Sequence, residues 1–190
     1  MLIAKSAGTD NVSSALTART GVSAGMKAGG VFHVQCLDKD GNLKWETSEH
    51  NLVVNEGLQN MNTEYFKGST YSASFFLGLI TGPAPNTFAA ADTLASNSWT
   101  EYTDYAGSRK AVTFGTATTA DPSVITNSAS PASFTISGAG GTVAGAFLCT
   151  VASGTSGVLF SESDFQAPGD RVVVSGDTLN VTYTFSLDAA

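Results

Sequence analysis

Charge is scarce in this chain, and histidine and cysteine are scarcer. Only 13% of its 190 residues are Asp, Glu, Lys or Arg, and there are two histidines and two cysteines. So few imidazoles and thiols leave little material for a metal centre or a nucleophile with its base. No apolar run approaches the ~20 residues of a membrane-spanning helix. The first residues lack the continuous apolar stretch of a secretory signal, so a soluble protein made inside a cell is expected. The net charge of −7 argues against a general nucleic-acid binder.

What is abundant is Gly, Ala, Ser and Thr, which suits a β-rich chain with many turns, or one whose surface is covered by partners. At this length the chain fits one large domain, or a domain with an extension, and needs no disulfide staple, because a ~150-residue domain already hides about 70% of its unfolded surface. Cys36 and Cys149 both lie in apolar, strand-like runs. Buried free thiols are the expectation for them, with a disulfide as the alternative.

Residues 30–66 read as the organising stretch. Phe32, Val34 and Cys36 share one parity and His33 and Gln35 the other, the period of a strand with one buried face. Asp40-Gly41 then supplies a hairpin turn, and a second strand from about Leu43 pairs back. Beyond Val53-Val54, Asn55 suits a helix N-cap, with Glu56 in the first turn. Leu58, Met61 and Tyr65 form an apolar stripe at i, i+3 and i+7, so a short helix is expected to close the open face of the hairpin.

Residues 1–29 stand apart. They contain no aromatic residue and little periodicity, too little to order themselves. They read either as a flexible tail or as an arm ordered only against a neighbouring subunit. Within them Gly21, Ser23 and Gly25 spell G-x-S-x-G, but the buried strand and following helix that a nucleophile elbow needs are missing from the pattern.

Farther on, residues 72–80 (SASFFLGLI) form a continuous apolar run, expected to be a central strand buried on both faces. Residues 88–105 mix aromatics with Ser, Asp and Glu. Trp99, Tyr102 and Tyr105 there are either core and rim packing or an exposed contact patch for subunit packing. From Arg109 onward the texture is β, in runs at 110–115, 132–137, 143–151, 157–160, 171–175 and 178–187. The last alternates cleanly, with Leu179, Val181, Tyr183, Phe185 and Leu187 on one face. Gly176-Asp177 before it reads as a hairpin turn from the preceding run. About nine strands and one helix result, an all-β fold: an antiparallel β-sandwich, jelly-roll or Ig-like, at 30–190, with an extended N-terminal arm at 1–29.

Chemical motifs find ordinary explanations. His33 projects from the face opposite Cys36, so parity disfavours a metal pair, and His50 stands alone. Asp38-Lys39-Asp40-Gly41 resembles the start of a calcium loop but lacks the later bidentate Glu. The glycines at 138, 140 and 141 precede a strand, not a phosphate-cradling helix. Asn11 and Asn180 fit the glycosylation pattern without a secretory signal. Neither catalysis, a metal nor a cofactor is expected.

Several segments in this order, GNLKWETSEHNLVVNEGLQNM, YFKGSTYSASFFLGLITG, ADTLASNSWTEYTDY, SRKAVTFG, VAGAFL and SGDTLNVTYTFSL, resemble a group of tailed-bacteriophage and prophage virion structural proteins. The likeness covers roughly residues 41–187. It implies a small β-rich head protein, a cement or decoration subunit that clamps copies of the major capsid protein, present on the virion as a dimer or trimer. On that expectation Lys5, Arg19 and Lys27 of the arm would meet acidic capsid surface, and Trp99, Tyr102 and Tyr105 would pack between subunits. A head-fibre or tail-associated host-receptor binder is the second expectation, with an aromatic-lined groove as its mark.

Overall fold

The computed structural model describes residues 26–67, 74–82, 88–166 and 169–189. In chain order the elements are β1 (Met26–Leu37), β2 (Leu43–His50), β3 (Leu52–Val53), α1 (Asn55–Lys67), β4 (Phe76–Thr81), β5 (Glu101–Tyr102) and β6 (Lys110–Ala111). There follow β7 (Ser123–Thr126), β8 (Ala132–Thr135), β9 (Gly140–Cys149), β10 (Leu159–Asp164), β11 (Arg171–Val174) and β12 (Thr178–Ala189). No helix among the described residues is long and apolar enough to cross a membrane.

The strands form two antiparallel sheets, the all-β sandwich expected of the composition. The first runs β2-β1-β12, with β8 and β7 end to end along the far edge of β12. Its spine is the twelve-rung ladder of β1 on β12, from Met26 opposite Ala189 to Leu37 opposite Thr178. The second runs β3-β10-β9-β4, with β5 and β6 on β4. β10 and β11 lie end to end on the same side of β9: Asp164 faces Gly145 and Arg171 faces Val143.

The inward parities of both sheets make one core. Phe32, Val34, Cys36, Phe134, Leu179, Val181 and Tyr183 come from the first sheet, and Leu77, Leu79, Val143, Ala146, Leu148 and Val173 from the second. A second cluster covers the other face of the second sheet, where Ile80, Phe147, Cys149 and Leu159 meet Val54, Leu94 and Trp99. That double burial is why β4 reads as an unbroken apolar run instead of an alternating one. β12, with one buried face, alternates as expected.

The hairpin at Gly41 forms as the sequence predicts. Gly41 takes φ +85°, and Asp38 Oδ1 accepts the amides of Asp40 at 2.9 Å and Asn42 at 2.8 Å. The calcium-like letters therefore belong to a turn, and hydrogen bonds from Asn42 hold the Asp38 carboxyl below its usual range.

Four expectations are corrected. First, the ladder of β1 begins at Met26, so Lys27, Ala28 and Gly29 belong to the sandwich and not to an arm ending at residue 29. Second, the turn at Gly176-Asp177 is not a hairpin: β11 pairs β9 in one sheet and β12 pairs β1 in the other, so this turn carries the chain between sheets. Third, the stripe of α1 does not face the core as a unit: Met61 packs against it, but Leu58 is 41% and Tyr65 83% exposed. The helix approaches β10 through Gly57 instead, where any Cβ would collide with the Phe160 carbonyl. Fourth, β3, β5 and β7 add to the nine strands of the pattern, which brings the total among the described residues to twelve.

Candidate functional site

The carboxylate of Glu56 anchors the start of α1, accepting Leu159 N at 2.7 Å and Leu94 N at 3.3 Å. The first intrahelical bond runs from Leu58 N to Val54 O at 3.1 Å, so Asn55 sits inside the first turn and does not cap it. Pinned at this end, the helix runs out over the corner where β1 begins and β12 finishes. Between them lies a groove of about 750 Å³ lined by Met26, Met61, Tyr65, Phe66, Phe75, Phe160 and Leu187, with Asn60, Asn62 and Glu64 contributing polar groups from the helix. A second cleft of about 420 Å³ continues it past Met26, Ala28, Leu58 and Asn62.

The floor of the groove is aromatic and joined to the core. Phe75 meets Phe160 at 5.5 Å between centroids and Phe114 at 6.0 Å, and Phe160 meets Phe185 at 5.5 Å. The rim is the opposite: Met26, Tyr65 and Phe66 are 67%, 83% and 77% exposed, and the Tyr65 and Phe66 rings touch only edge to face, 5.0 Å apart. Large apolar side chains standing together in water around a recess mark a docking surface. One signal for it was present in the sequence. Consecutive helical residues diverge by 100°, so Tyr65 and Phe66 cannot both turn their rings to the same core.

Other predicted residues fall elsewhere. Lys5, Arg19, Ser23 and Asn11 lie outside the described residues. Lys27 is exposed on the second rung of β1, opposite Asp188. Trp99, Tyr102 and Tyr105 are buried in the chain's own core, at 9%, 4% and 5% exposure, which corrects their assignment to a subunit interface. Trp99 lies against Phe147 at 4.7 Å, and Tyr105 packs edge-on to Phe134 at 4.9 Å. Burial lifts the Tyr102 hydroxyl to about 12 and that of Tyr105 further. The aromatics of residues 88–105 divide between two places: Phe88 and Trp99 cover the outer face of the second sheet, and Tyr102 and Tyr105 enter the core between the sheets.

His33 Nδ1 pairs with Ser48 Oγ at 2.8 Å, and His50 is exposed at the end of β2. Among the described residues no three His, Cys, Asp or Glu side chains are grouped to hold a metal ion. Both cysteines are free and buried. Burial, with Asp177 nearby, pushes the Cys36 thiol up to about 12, and burial raises Cys149 as well. Arg109 is another buried group, only 6% exposed; it holds Glu101 through two bonds of 2.8 and 2.7 Å and stands 5.1 Å from the Phe147 centroid. Its position fastens the residues after β5 to the end of β9.

No protein-family model matches the chain, and no curated protein or solved structure is significantly similar to it.

Proposed function

We propose that this chain is a structural subunit of a tailed-phage particle, a decoration protein that binds the shell of major capsid protein from outside and stabilises the head. The observation that carries the reading is the exposed apolar rim of Met26, Tyr65 and Phe66 around an aromatic-floored groove. It sits on a body in which Arg109 is tied to Glu101 and Asp177 to Lys44. Such a chain offers the materials of adhesion. The succession of sequence segments that resembles phage virion proteins supplies the particle, and the reading needs no cofactor, nucleic acid or membrane.

The mechanism is mass action. A protein that binds the closed shell and not the opened one raises the temperature at which the shell opens, by an amount that grows with occupancy. Purified chain added to heads stripped of it should therefore rebind and raise their melting temperature to a plateau. Heads that melt unchanged at saturating protein would remove the proposal.

The exposed rings of Tyr65 and Phe66 also favour a second reading, a host-receptor binder on a head fibre or the tail, because sugar rings stack on exposed aromatic faces. Under that reading, particles lacking the chain lose adsorption to the host while their heads keep full heat resistance.

A further inference from the structure

β1 outruns its neighbour. β2 pairs it only as far as Val31 opposite His50, and Asn51 N still reaches Gly30 O at 3.0 Å before the chain turns away into β3, which pairs β10. Residues 26–29 keep their ladder to β12 on one side, while among the described residues no strand pairs them on the other.

In an antiparallel pair each residue presents its N–H and C=O to the same neighbour, and successive residues alternate. Gly30 faces the β2 side, so Ala28 and Met26 present their backbone groups to the open side, and Gly29 and Lys27 face β12. Side chains alternate as well. Those of Met26 and Ala28 share the inward parity of Phe32 and line the smaller cleft, whereas Lys27 is exposed on the outer face. The open lane therefore has a backbone edge, apolar recesses beneath it and one cation above it.

We infer that this lane takes an extended segment of the shell protein as an added antiparallel strand, apolar at the residues facing Met26 and Ala28 and acidic at the residue between them, opposite Lys27. This names the contact of the decoration reading and rests on it. An added strand gains affinity from main-chain bonds and specificity from alternate side chains. Opposite charges directly across a ladder attract and like charges repel, so Lys27 sets the acidic position. The cleft of about 420 Å³ beside Leu52, Val53, Leu58 and Met61 sets the apolar ones. The chain's own leading residues do not fit the pattern: Asp10 is the one acidic residue among 1–25, and Thr9 and Asn11 flank it.

The test titrates full-length protein with a blocked heptapeptide, Thr-Thr-Val-Asp-Val-Thr-Thr, and follows backbone amides by NMR. The amides of residues 26–30 should shift saturably, and the same peptide with Lys in place of Asp should bind about fivefold more weakly. Lys27→Glu should reverse that preference. Ala28→Pro removes an N–H that points at the lane and none of the ladder to β12, so it should melt with the parent while binding the peptide about tenfold more weakly. No shift in these amides at millimolar peptide, equal affinity for the two peptides, or a Lys27→Glu chain with unchanged preference overturns the inference. Stripped heads are scored apart. The parent should rebind them and Ala28→Pro should not; equal rebinding by both removes the shell protein from the lane. A parent that never rebinds defeats the decoration reading, and the peptide titration still decides the lane.

Discussion

Glu162 is a carboxyl group out of reach of solvent, with Trp99 Nε1 donating to its Oε2 at 2.6 Å. Burial is the main reason that its pKa rises from the ordinary 4.5 to about 8; Asp92 adds to the rise, and the Trp99 bond opposes it. Between those two values the folded chain keeps a proton that the unfolded chain releases. The folded state therefore binds more protons, and stability falls as pH climbs from about 4.5 to 8, then levels off. The loss is on the order of 4 kcal/mol at the top of that window. Asp164, also raised by burial, works in the same direction. Glu162→Gln keeps an acceptor for the indole and carries no charge. The variant should melt at nearly constant temperature from pH 5 to 8.5, apart from the smaller slope left by Asp164, and should exceed the parent at pH 8.5. A parent melting temperature that holds level across this range would contradict the assignment.

Asp177, in the turn between β11 and β12, shows what decides the path of an element. Its buried carboxylate accepts Val174 N at 2.9 Å and is paired with Lys44 of β2, so one side chain ties the turn to the edge of the first sheet. Asp177→Ala would leave that amide unpartnered in a closed site and the lysine without its counter-charge. The expected cost is about 2–4 kcal/mol, read as a lower urea midpoint at unchanged slope, with Asp177→Asn losing less because an acceptor remains. A loss below about 0.5 kcal/mol for Asp177→Ala would show that the turn does not depend on it. The same turn marks the limit of what the sequence discloses. Gly176-Asp177 has the letters of a hairpin, but whether two strands joined by a turn pair together is settled by distant β9 and β1, not by the three residues between them. Where the determinant is local, reading succeeds: Asp40-Gly41 makes its hairpin, and the alternation of β12 and the apolar run of β4 report one and two buried faces. The stripe of α1 failed because Gly57, an apparently weak helical residue, is the point of closest approach and rotates Leu58 and Tyr65 outward. Trp99, Tyr102 and Tyr105 left core and surface open because aromatic composition is the same in both places. The groove was half legible, through Tyr65 and Phe66, while Phe75, Phe160 and Leu187 meet there only by tertiary contact.

Across the whole molecule the second sheet is shared property. Leu77, Leu79, Ala146 and Leu148 face the sandwich core, while Ile80, Phe147 and Cys149 face the cluster under Trp99, so β4 and β9 belong to both. Neither cluster can lose its packing without stripping one face from the same two strands. A single cooperative unfolding transition follows. The cysteines report it, since Cys36 lies in one cluster and Cys149 in the other, and both are free. In the folded chain each thiol is fully buried with its pKa raised, so an aromatic disulfide reagent at pH 8 should find neither. Under slightly destabilising urea both should become labelled at one common rate, equal to that of global opening. If Cys149 reacts well before Cys36, the residues around Trp99 open as a separate unit, and the two faces of the second sheet are not held together by the strands they share.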